Sequence, residues 1–264
     1  MKNFLKKYKV SILLVVLLFV GFAIRIFFVE KVVVGDLLVY TEWGESLMKN
    51  GPKDFYFRQG WLLSHPVYPP LSQLIFGAAY WLFDHKYFLA ELHNLVKFPP
   101  AVFIVYFYKY GHILLLKLLS IISDLALSVI IYKLILKLSR NKKKAVFGLM
   151  FFLFNTITVF ISGAWGQTDS VVALLGILSF LFLYRGNAFL SMLLLFLSLY
   201  FKPSCVIFGP FYLFLLLKKS RHTSVFFLVP LQHYCFWLQP PCRLAREMCF
   251  CMHGDFLRKD IRSR

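Results

Sequence analysis

Eight apolar runs divide the first 217 residues: 10–29, 71–84, 98–116, 118–138, 145–161, 170–184, 188–201 and 204–217. No single globule of this length can bury that much apolar surface. Hydrophobic residues make up 59% of the chain and charged ones only 16%, where a soluble domain carries about a quarter charged. A soluble enzyme, a disordered tail and a disulfide-stapled secreted domain are excluded. The expected fold is all-α, a polytopic transmembrane helix bundle of about 8 spans, with some runs extending into flanking polar residues to reach the ~20 needed to cross. Run 10–29 begins after a basic start, as a signal peptide does. It is long enough to cross and no small-residue cleavage site follows, so it reads as a retained signal anchor.

The net charge of +18 sits in short blocks between the runs: Lys2, Lys6, Lys7 and Lys9, then Arg140 with Lys142 to Lys144, then Lys218, Lys219 and Arg221. Segment 30–70 differs, with Lys31, Lys49, Lys53 and Arg58 against Glu30, Asp36, Glu42, Glu45 and Asp54. Basic residues accumulate in cytoplasmic loops, so the pattern reads as topology and no nucleic-acid partner is expected. Parity then places the N-terminus in the cytoplasm and 30–70 as a large first external loop. It requires 98–138 to cross twice, so that Arg140–Lys144 returns to the inner side. Asp36, Tyr68, Lys117, Asp124, Trp165–Asp169 and Lys202 gather on the outer side under that count.

Ionisable groups in or beside apolar spans are costly and mark functional sites by default. Asp36 is a candidate general base, against a plain solvated helix end. Tyr40, Trp43 and Leu47 recur at helical spacing, predicting an amphipathic interfacial helix with Trp43 either a binding group or a membrane anchor and Glu42 and Glu45 in solvent. Tyr68-Pro69-Pro70 is a stiff helix entry, since proline suits a first turn. Lys117 and Asp124 are two turns apart on one helix face, either a polar contact within the helix or between helices or, for Lys117, an attractor of an anionic headgroup. Trp165, Gln167 and Asp169 lie in a glycine-flanked turn, with Asp169 near a helix N-cap. Lys202 interrupts an apolar stretch and either snorkels to water or clamps a lipid phosphate. No cluster of carboxylates, His or Cys predicts a metal or other cofactor.

The ordered set Gly35-Asp36, Trp43, Gly51, Tyr68-Pro69-Pro70-Leu71, Lys117-x6-Asp124-Leu125, Trp165-Gly166-Gln167-x-Asp169-Ser170 and Phe201-Lys202-Pro203 resembles GT-C fold glycosyltransferases. It is most similar to bacterial relatives of the glycolipid-anchor mannosyltransferases, and similar also to the glucosyltransferases that extend lipid-linked oligosaccharides. The resemblance covers residues 1–217. It implies an integral, multi-pass membrane enzyme that takes mannose or glucose from a polyprenyl-phosphate-linked sugar donor to a glycan, lipid or protein-linked acceptor on the external face. Asp36 would take the acceptor proton, and Leu37 in place of a second acid fits the single-acid branch, which is not expected to need a metal. Trp43, Tyr68, Lys117, Asp124, Trp165, Gln167, Asp169 and Lys202 would bind donor or acceptor, among membrane lipids.

A transporter or lipid flippase and a non-catalytic scaffold remain alternatives. No repeat relates the two halves, and the polar residues collect on one side instead of mid-membrane. From about Phe227 the apolar pattern gives way to Cys, Pro, His and Arg, so 218–264 reads as a basic tail, either disordered or out of frame on a truncated chain.

Overall fold

The computed structural model describes residues 2–219, and every described regular element is helical. The chain through Tyr212 forms one compact unit, and a second begins at Leu213. Apart from its first two residues, the expected tail at 218–264 lies outside the described residues.

Two of the helices are long and apolar enough to cross a membrane: Lys9–Phe27, within α1 (Lys2–Phe27), and α5 (Ala101–Ser139). A third crossing is counted if α6 (Lys142–Leu153) and the stretch Thr156–Trp165, bent by 47°, make one span. About 8 spans were expected, so the architecture shown is all-helical with two to three candidate crossings among the described residues.

The double crossing expected over 98–138 is corrected. α5 is one helix of 39 residues, about 58 Å at 1.5 Å per residue, and an unbroken helix cannot turn back. Its lower part is matched to α1: Arg25 meets Asp124, and Lys117 reaches the carbonyls of Val29 and Val32 just beyond the end of α1. From Lys117 to Ser139 is about 33 Å, one hydrocarbon thickness. The remaining upper part packs against α3 (Pro70–Asp84) and α4 (Tyr87–Val96). A run this long and apolar looks like two spans because composition does not show that it stays one unbroken helix, of whose upper part only Phe107, Gly111, His112 and Leu116 are buried.

α2 (Gly35–Asn50) forms as the periodicity predicts, burying Leu37, Tyr40, Trp43, Gly44 and Leu47 against α3. The two backbones approach closely at glycines: a Cβ on Gly44 would lie 2.5 Å from the Phe76 carbonyl oxygen. Tyr40 stacks on Phe76 with centroids 4.5 Å apart and planes 9° off parallel, the kind of pair that adds about 1 kcal/mol beyond area burial. Gly51, at φ +73°, ends α2, and Arg58 donates to the carbonyls of Asn50, Gly51 and Lys53. The irregular segment that follows is pinned by Trp43 Nε1 on the Ser64 carbonyl (2.8 Å) and by Glu42, which accepts from the amides of Leu62 and Leu63. Glu42, expected in solvent, thus holds the loop to the helix.

After α6 the chain breaks without proline. Asn155 caps the short α7 (Thr156–Val159), whose end widens into a π-helical turn over Phe160–Trp165 that closes on Gly166 at φ +81°. Such a bulge re-aims the side chains that follow it. α8 (Asp169–Arg185) and α9 (Ala188–Phe201) form a hairpin through Gly186. Ser179 and Ser191 each donate to the other's carbonyl at 2.7 Å, small polar groups that let apolar helices approach. Gly209 opens the last described helix, α10 (Gly209–Lys219).

Candidate functional site

Asp36 stands in the first turn of α2, half-buried, where a carboxylate also complements the helix dipole. The turn after the π-helical stretch brings two donors to its Oδ2: Trp165 Nε1 at 2.9 Å, and Gln167 Nε2. Because a carboxylate only accepts, the Gln167 amide must present its nitrogen to Asp36 and its carbonyl oxygen the other way. That oxygen accepts from Tyr40 Oη at 3.2 Å. With its proton so committed, Tyr40 takes the hydroxyl hydrogen of Tyr68, 3.2 Å away. The result is a directed chain, Tyr68 to Tyr40 to Gln167 to Asp36. Both donors to Asp36 converge on Oδ2, fixing the carboxylate's orientation and leaving Oδ1 to accept from a ligand.

Lys202 completes the cluster. Its ammonium lies 5.4 Å from the centroid of the Tyr68 ring and 2.5 Å from Asp169 Oδ1. Two contacts set its position: Ser72 Oγ donates to the Phe201 carbonyl, tying the end of α9 to the start of α3, and Pro203 ends the helix. Asp169 opens α8 without capping it, its carboxylate being turned to Lys202 instead. Burial works against the Lys202 charge, but Asp169 and the facing Tyr68 more than offset it, so its pKa lies above the ordinary lysine value. Burial, helped by Tyr68 and by the charges of Asp36 and Asp169, pushes the Tyr40 hydroxyl well above its usual range. Tyr40 is therefore a neutral donor at any working pH.

The structure thus brings Asp36, Tyr68, Trp165, Gln167, Asp169 and Lys202 into one connected set. Tyr40, expected only as part of an amphipathic stripe, is its central link. Three other residues expected to bind ligand are placed elsewhere. Trp43 is 2% exposed in the α2–α3 core, its indole N–H already on Ser64, so it neither anchors to headgroups nor meets a ligand. Lys117 is fully buried, and its three donors are taken by the carbonyls of Val29 (3.2 Å), Val32 (2.7 Å) and Ala164 (2.8 Å). Asp124 is equally buried and pairs with Arg25 at 3.1 Å. The polar contact between helices, held open for Lys117 and Asp124, is the geometry found.

Arg25 is the residue that sequence reasoning missed. It is fully buried and donates to Asp124 twice, to Ser162 Oγ at 3.0 Å, and to the carbonyls of Gly21 and Leu153. Its Cα is also what a Cβ on Gly163 would meet, at 3.1 Å. Arg25 and Lys117 therefore hold the Phe160–Gly166 turn to α1 and α5, at the height where Trp165 and Gln167 reach Asp36. The signal was present, an arginine inside an apolar run, and by the cost argument it deserved a partner. Among the described residues no three His, Cys, Asp or Glu side chains gather as metal ligands. No protein-family model, curated protein or solved structure matches the chain.

Proposed function

We propose that this chain is a multi-pass membrane glycosyltransferase of the GT-C kind, moving a hexose from a polyprenyl-phosphate carrier to an acceptor hydroxyl on the external face. The observation that carries the reading is the convergence on Asp36 of Trp165 and Gln167 from 129 and 131 residues away, which leaves one carboxylate oxygen unengaged. In the reaction the acceptor oxygen bonds to the anomeric carbon as the bond from that carbon to the phosphate oxygen breaks. The acceptor proton passes to Asp36, and the bonding electrons leave with the polyprenyl phosphate. Lys202 is the cation available to the departing phosphate, since Lys117 has no donor left. A positioned charge at developing negative charge is a major source of rate.

In this reading α2, α3 and α4 form a cap on the outer side and α5 crosses once. Segment 71–84 then remains outside instead of crossing, and Arg140–Lys144 still falls on the cytoplasmic side with the N-terminus. Two counts change and the parity is kept, as the basic blocks require.

The test uses the full chain in proteoliposomes with radiolabelled mannosyl and glucosyl polyprenyl phosphates. Asp36→Asn keeps a carbonyl oxygen for Trp165 and Gln167, so the fold is preserved while the base is lost. Transfer is expected to fall by about 100- to 10,000-fold with donor binding intact. Transfer within a few-fold of the parent overturns the assignment. Movement of the carrier lipid between leaflets without sugar transfer would favour a flippase instead.

A further inference from the structure

About 27 Å down α5 from Lys117, at the other end of the bundle from Asp36, a groove opens between α5 and α6. Its volume is about 630 Å3, and Ile135, Lys143, Lys144, Phe147, Gly148 and Phe151 line it. Gly148 forms its floor: a Cβ there would lie 2.1 Å from Ile135 Cδ1, so the absent side chain lets the two helices close. Phe147 and Phe151 are 69% and 68% exposed, presenting aromatic faces that no described residue covers. A second hollow of about 450 Å3 shares Phe151 and continues past Phe154 to Ile157 at the bend.

The charged residues that line this groove, Lys143 and Lys144, are both basic. They belong to the block Arg140 with Lys142 to Lys144, and no acidic residue occurs in the sequence between Asp124 and Asp169. Asn141 Oδ1 already accepts the backbone N–H groups of Lys143 and Lys144, so the anion-binding donors on offer are the two ammonium groups. From Lys143 to Phe154 the helix runs about 17 Å, close to half of the ~30 Å hydrocarbon core. That is the depth of one leaflet's acyl chain. A basic pocket between spanning helices with an apolar groove leading from it matches an anionic lipid headgroup and its tail.

We infer that this groove binds one anionic phospholipid of the adjacent leaflet, with its phosphate on Lys143 and Lys144 and one acyl chain along Phe147 and Phe151. The site is separate from the Asp36 network and holds a membrane component instead of a substrate. It fastens the α5–α6 hairpin from which the Phe160–Gly166 turn projects.

The purified full chain is titrated with dioleoyl phosphatidylglycerol and with dioleoyl phosphatidylcholine, bound lipid being counted by native mass spectrometry. Phosphatidylglycerol is expected to bind well above phosphatidylcholine. In K143Q/K144Q, both sites exposed and tolerant of change, its affinity should fall about fivefold per lysine, about 25-fold in all. The control K31Q/K53Q removes equal charge outside the groove and should change nothing. Millimolar glycerol 3-phosphate should not displace the lipid, since a free phosphate lacks the tail. A tryptophan placed by F151W should be quenched more by bromine-labelled chains on phosphatidylglycerol than on phosphatidylcholine. Equal binding of the two lipids, affinity in K143Q/K144Q within twofold of the parent, equal loss in K31Q/K53Q, displacement by glycerol 3-phosphate, or equal quenching would each overturn the site. None of these readouts depends on sugar transfer.

Discussion

Removing Arg25 and Asp124 singly and together separates the part of the buried pair that stabilises from the part that only avoids harm. The side chains are 0% and 2% exposed. Arg25→Met leaves the Asp124 carboxylate without its cation, and Asp124→Leu leaves a guanidinium without its anion. Breaking one partner of a buried pair costs about 3–5 kcal/mol, a factor of roughly 160 to 5,000 in the folding equilibrium. The double variant removes both charges and fills the space with apolar atoms. What it loses are the bonds from Arg25 to Ser162 Oγ and to the carbonyls of Gly21 and Leu153. Hydrogen bonds between membrane helices average about 0.6 kcal/mol, so three of them total about 2 kcal/mol. The singles should therefore each lose about 3–5 kcal/mol and the double about 2, against 6–10 if the effects simply added. Equilibrium unfolding of the full chain in mixed micelles with rising dodecyl sulfate, followed by tryptophan fluorescence, reads all four forms. An additive double, or an Arg25→Met variant within 1 kcal/mol of the parent, would refute the account. Arg25 would then be a snorkelling surface residue and not the pin of the Phe160–Gly166 turn.

Lys117→Met should destabilise the fold by about 3 kcal/mol in the same unfolding assay, because three buried carbonyls lose their donor. Lys202→Met should instead weaken binding of a polyprenyl-phosphate sugar by about tenfold or more with little change in unfolding, its partner Asp169 being half-exposed. Since the Lys202 pKa is raised, its charge is complete below the ordinary lysine value of about 10.4 and is lost only as pH climbs beyond it. Donor binding measured by filtration should accordingly show no loss through Lys202 between about pH 6 and pH 9. Gly44→Ala should cost about 1–3 kcal/mol, since its Cβ would strike the Phe76 carbonyl and not a movable side chain, and the unfolding midpoint reads it.

What the sequence reveals of this molecule depends on whether a contact is local. The face of α2 was legible because Leu37, Tyr40, Trp43 and Leu47 repeat at the helical period, and Pro70 marks a helix start by the chemistry of its missing N–H. Lys117 and Asp124 could be placed on one face, but not assigned partners, because those partners come from 47 to 99 residues away. The span count failed for a related reason. The part of α5 before Lys117 is as apolar as the part after it, and composition does not distinguish one unbroken helix from two joined spans. Glu42 looked solvated because its alternation with Tyr40 and Trp43 puts it on the other face of the helix, yet two amides of the following loop come back to cover it. Trp165 and Gln167 stood out as polar residues in a glycine turn, but their aim toward Asp36 depends on a π-helical widening and a left-handed Gly166, and neither has a periodic signature. The site is therefore readable as a list of residues and unreadable as a geometry. Its order comes from Arg25 and Lys117, two buried cations that touch no ligand and fix the height of the turn that does.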